Sequence, residues 1–532
     1  MRLSLIVLCL LFTYTLFAFQ DSLVTRGPYL QSGTHQSMVI RWRTDSAVVC
    51  KVSYGTQPAA QTSLLEETTP TTEHEVKLNA LNAFTKYYYS VYSGQALLAG
   101  GDTTYSFVTN PLPGTVQPIH LWVTGDMGKR NQQQYDVRDG YWNSIKANRH
   151  TDAWLWLGDN VYTDGTDEEY QTGMFDIYPE VLRSTVSRPC PGNHDYGAIN
   201  AISNDGPYYQ NFTMPKLGEA GGVPSNEEGY YSYDYGNIHF VSLNSEMLLW
   251  YISSNSQMCN WLRNDLANNQ QPWVIAYWHQ PPYTKGSHDS DDAFSNMSFM
   301  RTNIVPILEE YGVDIVLTGH SHNYERSYPI YGHYGTSDDF NFTMQVSATS
   351  GKPSENATYT KYTTGPNPNR GTIYIVCGNG GAVTSGEPLN HPVMYFSHQD
   401  SAGYMTIDVN GLQLDAKYYD SRGNIRDDFS ITKATGPTGV VALQDLVQDL
   451  TIYPNPFSEF LHVQFSLKEK TSLAIEVLDI NGKLVQTLFS GVAKAGPNKH
   501  TALINGFATG NYILRIKGEK TGSINKLVTL SR

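Results

Sequence analysis

The sequence predicts a multidomain chain with an α/β centre and a β-sandwich at each end. Three observations carry this. The chain has 532 residues, more than the ~100–200 of one domain. Both ends hold short runs of β-branched and aromatic residues between Gly, Pro and Thr, a strand pattern. The middle alternates buried-looking strands with helical stretches, which is the pattern of an α/β sheet.

The first element is Met1-Arg2, an apolar run from Leu3 to Phe19 broken by Ser4, Thr13 and Thr15, then polar Gln20-Asp21-Ser22. The run is shorter than the ~20 residues of a membrane span, so 1–20 reads as a signal peptide cut near Ala18 to Gln20. An uncleaved anchor is the alternative. No later stretch is apolar enough to cross a bilayer.

Residues 22–113 contain the strand-like runs 38–42, 48–52 and 87–92, which suit a small β-sandwich, and Pro111-Leu112-Pro113-Gly114 punctuates its end. The α/β block spans 116–432. Its strands are expected at 119–124, 153–157, 239–243, 273–277 and 313–317. Ile304, Ile307, Leu308 and Tyr311 give 299–311 a helical period. Runs at 372–376, 404–409 and 412–418 are expected as antiparallel additions. A polar linker covers 433–448. The last block, 449–532, is all β, with an Asn-Gly hairpin turn in Asp479-Ile480-Asn481-Gly482.

Charge excludes some functions. With 36 basic and 50 acidic side chains the net charge is −14, so no nucleic-acid binding is expected. Only 16% of residues are charged, unlike a disordered polyelectrolyte. Beyond Cys9 in the leader lie Cys50, Cys190, Cys259 and Cys377, which allow three pairings that sequence does not choose between. There is no CxxC, phosphate-loop, GxSxG or HExxH pattern.

Chemistry concentrates in five polar clusters of the α/β block, each placed after an expected strand. They are Gly125-Asp126-Met127-Gly128, Gly158-Asp159-Asn160-Val161-Tyr162, Gly192-Asn193-His194-Asp195, Trp278-His279-Gln280 and Gly319-His320-Ser321-His322. Strand C-terminal ends are where α/β sheets place ligands. Asp126, Asp159, Tyr162, Asn193, His279, His320 and His322 offer oxygen and imidazole donors and no thiolate. That suits iron, manganese or zinc and excludes a zinc ribbon. Seven donors exceed one ion with an open position and fit two ions, one carboxylate bridging. A phenol of pKa ~10 ligates as phenolate only beside a strongly acidic cation, so Tyr162 argues for a trivalent ion. A lone Gly-Asp is usually a turn, and Tyr162 alone could be a packed aromatic; the ordered set is what singles these residues out. His239 and Cys190 read as structural, as do the alternating Tyr231, Tyr233 and Tyr235.

The order GDxG, GDxxY, GNH[DE], a strand ending in His, then GHxH resembles calcineurin-like metallophosphoesterases, and Tyr162 in the second cluster resembles the purple acid phosphatases among them. The resemblance covers roughly Thr25 to Phe429 and implies a four-layer α/β sandwich behind a fibronectin-III-like domain. It implies Fe(III) held by Asp126, Asp159, Tyr162 and His322. A divalent Zn, Mn or Fe(II) would then sit on Asp159, Asn193, His279 and His320, with Asp159 bridging. It further implies a metal-bound hydroxide attacking a phosphate monoester, with His194 and His288 contacting phosphate and protonating the leaving group at acid pH. Where plant-type members resemble His-His, this chain has His288-Asp289, an added carboxylate that repels anionic substrates or orients His288. His288 sits in Ser287-His288-Asp289-Ser290-Asp291-Asp292, which also reads as a solvated loop.

Residues 449–532 resemble type IX secretion sorting domains through Ile452-Tyr453-Pro454-Asn455-Pro456-Phe457, the hairpin, Gly510-Asn511-Tyr512 and Lys526-Leu527-Val528-Thr529-Leu530; a carbohydrate-binding module is the alternative. The expectation is a secreted or cell-surface bacterial hydrolase that meets small phosphate esters and secretion machinery. A phosphodiesterase, nucleotidase or phytase using the same site, and a non-catalytic surface binder with structural metals, are the other readings.

Overall fold

In this computed structural model the described residues are 24–146, 149–197, 205–247, 253–365, 367–384, 388–436, 442–503, 506–518 and 521–531, so the expected leader lies outside them. Alternation builds the first unit. Met38, Ile40 and Trp42 of the strand Met38–Val48 face Cys50, Val52, Tyr89 and Val91 of a second sheet. One sheet runs Val24–Gln31, Met38–Val48, Thr71–Leu78; the other is built around Cys50–Gly55 and Lys86–Ser93.

In the centre the apolar runs are continuous, as strands covered on both faces require. Every residue of Ile119–Thr124, Ala153–Trp156 and Trp273–Tyr277 is buried. Two seven-stranded mixed sheets result. In the first, Ser187–Pro189, Ala153–Trp156 and Ile119–Thr124 are parallel, and Gly403–Asn410 adds antiparallel beside Ile119–Thr124. In the second, Ile238–Ser242, Trp273–Tyr277, Ile315–Thr318 and Ile373–Cys377 run parallel.

The sheets face each other across a core holding Leu121, Leu155, Ile275, Leu317 and Ile375. Gln132–Tyr141 covers the first sheet, Tyr141 stacking on Trp122 at 4.0 Å. Gln257–Asn268 and Val305–Glu310 cover the second through Leu262, Leu266, Ile307 and Leu308. The four layers are therefore helix, sheet, sheet, helix, as expected.

Two local readings change, and one strand lies where no range was expected. The run at 372–376 was expected as an antiparallel addition, but Ile373–Cys377 pairs parallel with Ile315–Thr318 and antiparallel only with Tyr324–Ser327. The helical period of 299–311 is realised in three pieces, Asn296–Phe299, a wider turn Met300–Ile304, and Val305–Glu310, because Pro306 can sit only in a first helical turn. The strand Ser187–Pro189, which precedes the third polar cluster, has three residues and ends on Pro at a sheet edge, too short to show as a pattern.

Ile425–Ala434 ends the first sheet's antiparallel side, Leu443–Leu446 is a helical turn, and a second β-sandwich follows. Its strands alternate buried and half-buried residues along Thr471–Leu478. Gly482, at φ +79°, makes the turn into Leu484–Ala493. The four cysteines among the described residues are buried and free.

His239 is structural, as expected. Its Nδ1 lies 2.8 Å from Asp234 Oδ1 and its Nε2 2.9 Å from Asp265 Oδ2. Only imidazolium donates from both nitrogens. Burial opposes that charge, but the two carboxylates win and push His239 up to about 9. A raised folded-state pKa contributes stability fully present below pH ~6.5 and lost as pH climbs through that higher value. Denaturant unfolding should therefore show wild type losing on the order of 2–3 kcal/mol between neutral and alkaline pH. His239→Gln should lack that component; a variant with the same pH slope contradicts the assignment.

Candidate metal centre

All five polar clusters arrive at one edge where the two sheets meet. Asp126 follows Ile119–Thr124, Asp159 and Tyr162 follow Ala153–Trp156, and Asn193 and His194 follow Ser187–Pro189. His279 follows Trp273–Tyr277, and His320 and His322 follow Ile315–Thr318. Asp126, Asp159 and His320 have φ of +56°, +48° and +66°, a left-handed conformation that costs side-chain-bearing residues free energy and gathers at functional sites. Glycine is required at two of the turns by close approach. A Cβ at Gly192 would overlap Asp159 N and Oδ1, and one at Gly319 would overlap Asp126 Oδ2.

The seven expected donors converge. Tyr162 Oη lies 3.1 Å from Asp126 Oδ1 and 3.4 Å from His322 Nε2, and His322 Nε2 is 3.6 Å from Asp126 Oδ1. On the other side His279 Nε2 is 3.2 Å from Asp159 Oδ1, from Asn193 Oδ1 and from His320 Nδ1. Ligand atoms of Asp159, His279 and His320 all lie within 4.8 Å of one another. Asp126 and Asp159 are buried, His320 and His322 half-buried, and Asn193 exposed, so the centre opens to solvent on the Asn193 side.

This arrangement tests whether cations fit. His279 Nδ1 donates to the Leu157 carbonyl at 2.8 Å, so in the neutral ring Nε2 carries a lone pair. That lone pair then faces the oxygens of Asp159 and Asn193 and the Nδ1 of His320. Such a cluster of acceptors is stable only around positive charge. With no ion bound a proton on His279 supplies it, for although burial opposes that charge, Asp159 and Asp126 raise the ring well above its ordinary value. A metal ion would take that proton's place. The carboxyls point the same way. Burial pushes Asp126 well above the usual range against the pull of His279, and the Asp159 charge adds to it. Burial also opposes charge on Asp159, but His279 and His194 hold it well below. Burial and the two carboxylates raise the Tyr162 phenol, so a phenolate there needs a cation. The donor set fits two metal ions.

The two expected phosphate contacts flank this cluster. His194 N donates to Asp159 Oδ1 at 2.9 Å, and its Nδ1 donates to the Thr163 carbonyl at 2.7 Å. This leaves Nε2 3.9 Å from Asp159 Oδ2. His288 is exposed and stacks on His320 with ring centroids 3.9 Å apart. Its loop borders a cleft of about 820 Å³ lined by Lys285, Ser287, Asp289, Asp338 and Asn390.

Sequence reasoning missed three residues. Lys129 places its ammonium 3.3 Å from the centroid of the Tyr162 ring; its only signal was a cation directly after Gly125-Asp126-Met127-Gly128. Asp195 is buried and accepts from Gly192 N at 2.7 Å and Asn160 N at 3.2 Å, fastening two loops together. Ser287 Oγ accepts the His322 amide at 3.0 Å.

Gly192→Ala drives a methyl into Asp159. It should lower thermal stability by about 1–3 kcal/mol and weaken metal retention by roughly 10–100-fold, the cost of disturbing a ligand's support. Calorimetry and metal analysis after gel filtration read the two effects. Wild-type retention in the variant contradicts the packing argument.

Three family models match the chain: Calcineurin-like phosphoesterase over 119–324, Purple acid Phosphatase N-terminal domain over 26–109, and Secretion system C-terminal sorting domain over 451–530. The chain is 27% identical over 389 residues to "Probable inactive purple acid phosphatase 1" of Arabidopsis thaliana, covering 68% of this chain and 57% of that one. It is 30% identical over 266 residues to purple acid phosphatase 21 of Arabidopsis thaliana, covering 48% and 54%. To acid phosphatase type 7 of Mus musculus it is 28% identical over 283 residues, covering 49% and 58%. The chain thus spans less than two thirds of each of these relatives. The solved purple acid phosphatase PPD1 from yellow lupin seeds shares the fold at TM-score 0.61 and 18% identity, with 78% of each chain covered. The structure of PhoD does so at 0.55 and 14%, covering 78% of this chain and 91% of that one. Residues 119–324 are therefore similar to calcineurin-like phosphoesterases, 26–109 to the purple acid phosphatase N-terminal domain, and 451–530 to a secretion system C-terminal sorting domain.

Proposed function

We propose that the chain is a secreted acid phosphatase that hydrolyses phosphate monoesters at a dinuclear centre. Asp126, Asp159, Tyr162 and His322 would hold iron(III), and Asp159, Asn193, His279 and His320 a divalent zinc, manganese or iron. The observation that carries this reading is the meeting of the seven donors around two buried carboxylates. A pair of such ions, when bound, polarises the phosphoryl group and acidifies a water.

The chain's own residues supply the rest. Asp159 fixes the His194 backbone, and Thr163 fixes its Nδ1, so Nε2 is the atom free to hold a proton for the departing oxygen. His288, exposed above His320, stands at the mouth where the leaving group exits. Lys129 adds a cation beside Tyr162 that would attract a phosphate anion. In the adjoining cleft Lys285 Nζ pairs with Asp289 at 2.8 Å, so the carboxylate that follows His288 is neutralised within its own loop. We assign 22–113 to the purple acid phosphatase N-terminal domain, 116–432 to catalysis, 433–448 to a linker, and 449–532 to an address for secretion machinery, which makes the product secreted or surface-bound.

Two predictions test the reading. Purified protein should release phosphate from a monoester at acid pH. His194→Ala should lower kcat about 10²-fold or more, the scale of lost proton transfer. No release by wild type rejects the enzyme, and faster release from diesters moves the assignment to a phosphodiesterase. Separately, protein loaded with iron should show a visible charge-transfer band that Tyr162→Phe abolishes. A band that survives contradicts phenolate ligation.

A further inference from the structure

Two arginines of the N-terminal sandwich reach into the catalytic domain and close on one carboxylate. Arg26 is fully buried. Its Nη2 donates to Asp167 Oδ1 at 3.0 Å, its Nε to Gln171 Oε1 at 2.8 Å and its Nη1 to Asn211 Oδ1, while the guanidinium lies 4.3 Å over the Phe175 ring. Arg43 closes from the other side, Nη1 donating to Asp167 Oδ2 at 2.5 Å and Nη2 to Oδ1 at 3.0 Å. Asn211 Nδ2 adds a donor to Oδ1 at 3.2 Å. Charge-assisted, forked contacts of this kind fix direction as well as distance. The same interface is sealed by Tyr29 Oη donating to the Asn211 carbonyl at 2.8 Å and Arg188 Nη2 to the Gly33 carbonyl at 2.7 Å.

Asp167 opens the short helix Asp167–Tyr170, which Thr166 caps. The last two residues of that helix hold two loops of the candidate centre. The Glu169 carboxylate accepts the amides of Thr163, Asp164 (3.0 Å) and Thr166 (3.1 Å), so it shapes the turn that follows Tyr162. Thr163 then offers its carbonyl to His194. Tyr170 Oη donates to Asp195 Oδ1 at 2.5 Å, and Asp195 in turn accepts the amides of Gly192 and Asn160. Donors Asp159, Tyr162 and Asn193 stand on these two loops. Donors His279, His320 and His322 stand on the second sheet.

We propose that Arg26, Arg43 and Asp167 are positioning residues through which the N-terminal sandwich holds the Asp159–Tyr162–Asn193 half of the centre in register with the half borne by the second sheet. This rests on the reading of these loops as the functional site. It gives the sandwich a part in the geometry of that site in addition to any part in binding. The bonded path runs Arg26 and Arg43 to Asp167, through one helical turn to Glu169 and Tyr170, and from them to the backbones that carry the donors.

Amide hydrogen exchange on the full-length, metal-free chain tests it, comparing wild type with Asp167→Asn, Arg43→Gln and Asp167→Glu. The half-exposed Arg43 gives a mild variant should Asp167→Asn fail to fold. Exchange across 159–166 and 191–196 should rise about tenfold in Asp167→Asn and Arg43→Gln, while 278–281 and 318–323 stay within about twofold. Asp167→Glu, which keeps the charge, should recover most of the protection. On metal-loaded protein the same two loosening variants should lower kcat. Equal loosening of both halves, a lower melting temperature without local loosening, or no recovery in Asp167→Glu makes the clamp a general fastening and overturns the proposal. Exchange is read without metal or substrate. A wild type that hydrolyses nothing would therefore sink the phosphatase reading alone.

Discussion

Two carboxylates, Asp126 and Asp159, are buried side by side at the edge where two sheets meet, and this crowding sets the terms for everything around it. A buried pair of like charges is unstable unless positive charge lies between or beside its members. Three imidazoles, a phenol that donates to Asp126 and an amide oxygen surround them, with contacts of 3.1 to 3.4 Å between them. A chain that needed only a packed core would not gather acceptors so densely. The left-handed backbone at Asp126, Asp159 and His320 is part of the same constraint. Each turn accepts strain so that a side chain can point at the shared space.

The fold is what makes that crowding affordable. Strands buried on both faces give rigid stems, and the donors sit within a few residues of their ends. The loops then brace one another at glycine contacts and through Asp195, Glu169 and Ser287. Half of the centre rises from the first sheet and half from the second, so relative placement of the two halves is the quantity the surrounding network must control. The Arg26–Asp167–Arg43 cluster acts on one half only.

Much of this was legible because the chemistry is local in sequence. Asp126, Asp159, Asn193 and His320 each follow a glycine, every donor lies within a few residues of a strand end, and the apolar runs before all of them but Asn193 are long enough to read as strands. The asparagine–glycine turn at Asn481-Gly482 and the aromatic alternation Tyr231, Tyr233, Tyr235 were visible for the same reason. What could not be read depends on distance. Ser187–Pro189 has too few residues to show a period, and the parallel direction of Ile373–Cys377 is set by its neighbour Ile315–Thr318. Nothing near Arg26 or Arg43 announces a partner more than a hundred residues away at Asp167. The place of Lys129 over the Tyr162 ring is likewise set by the fold.

The claim on which the rest depends is that these donors share two cations. Calorimetric titration of chelator-stripped protein with iron and then a divalent metal tests it most directly. The account predicts two ions bound per chain, each raising the melting temperature because ligands that bind only the folded state stabilise it. Binding of one ion or none, with no gain in melting temperature, would contradict it.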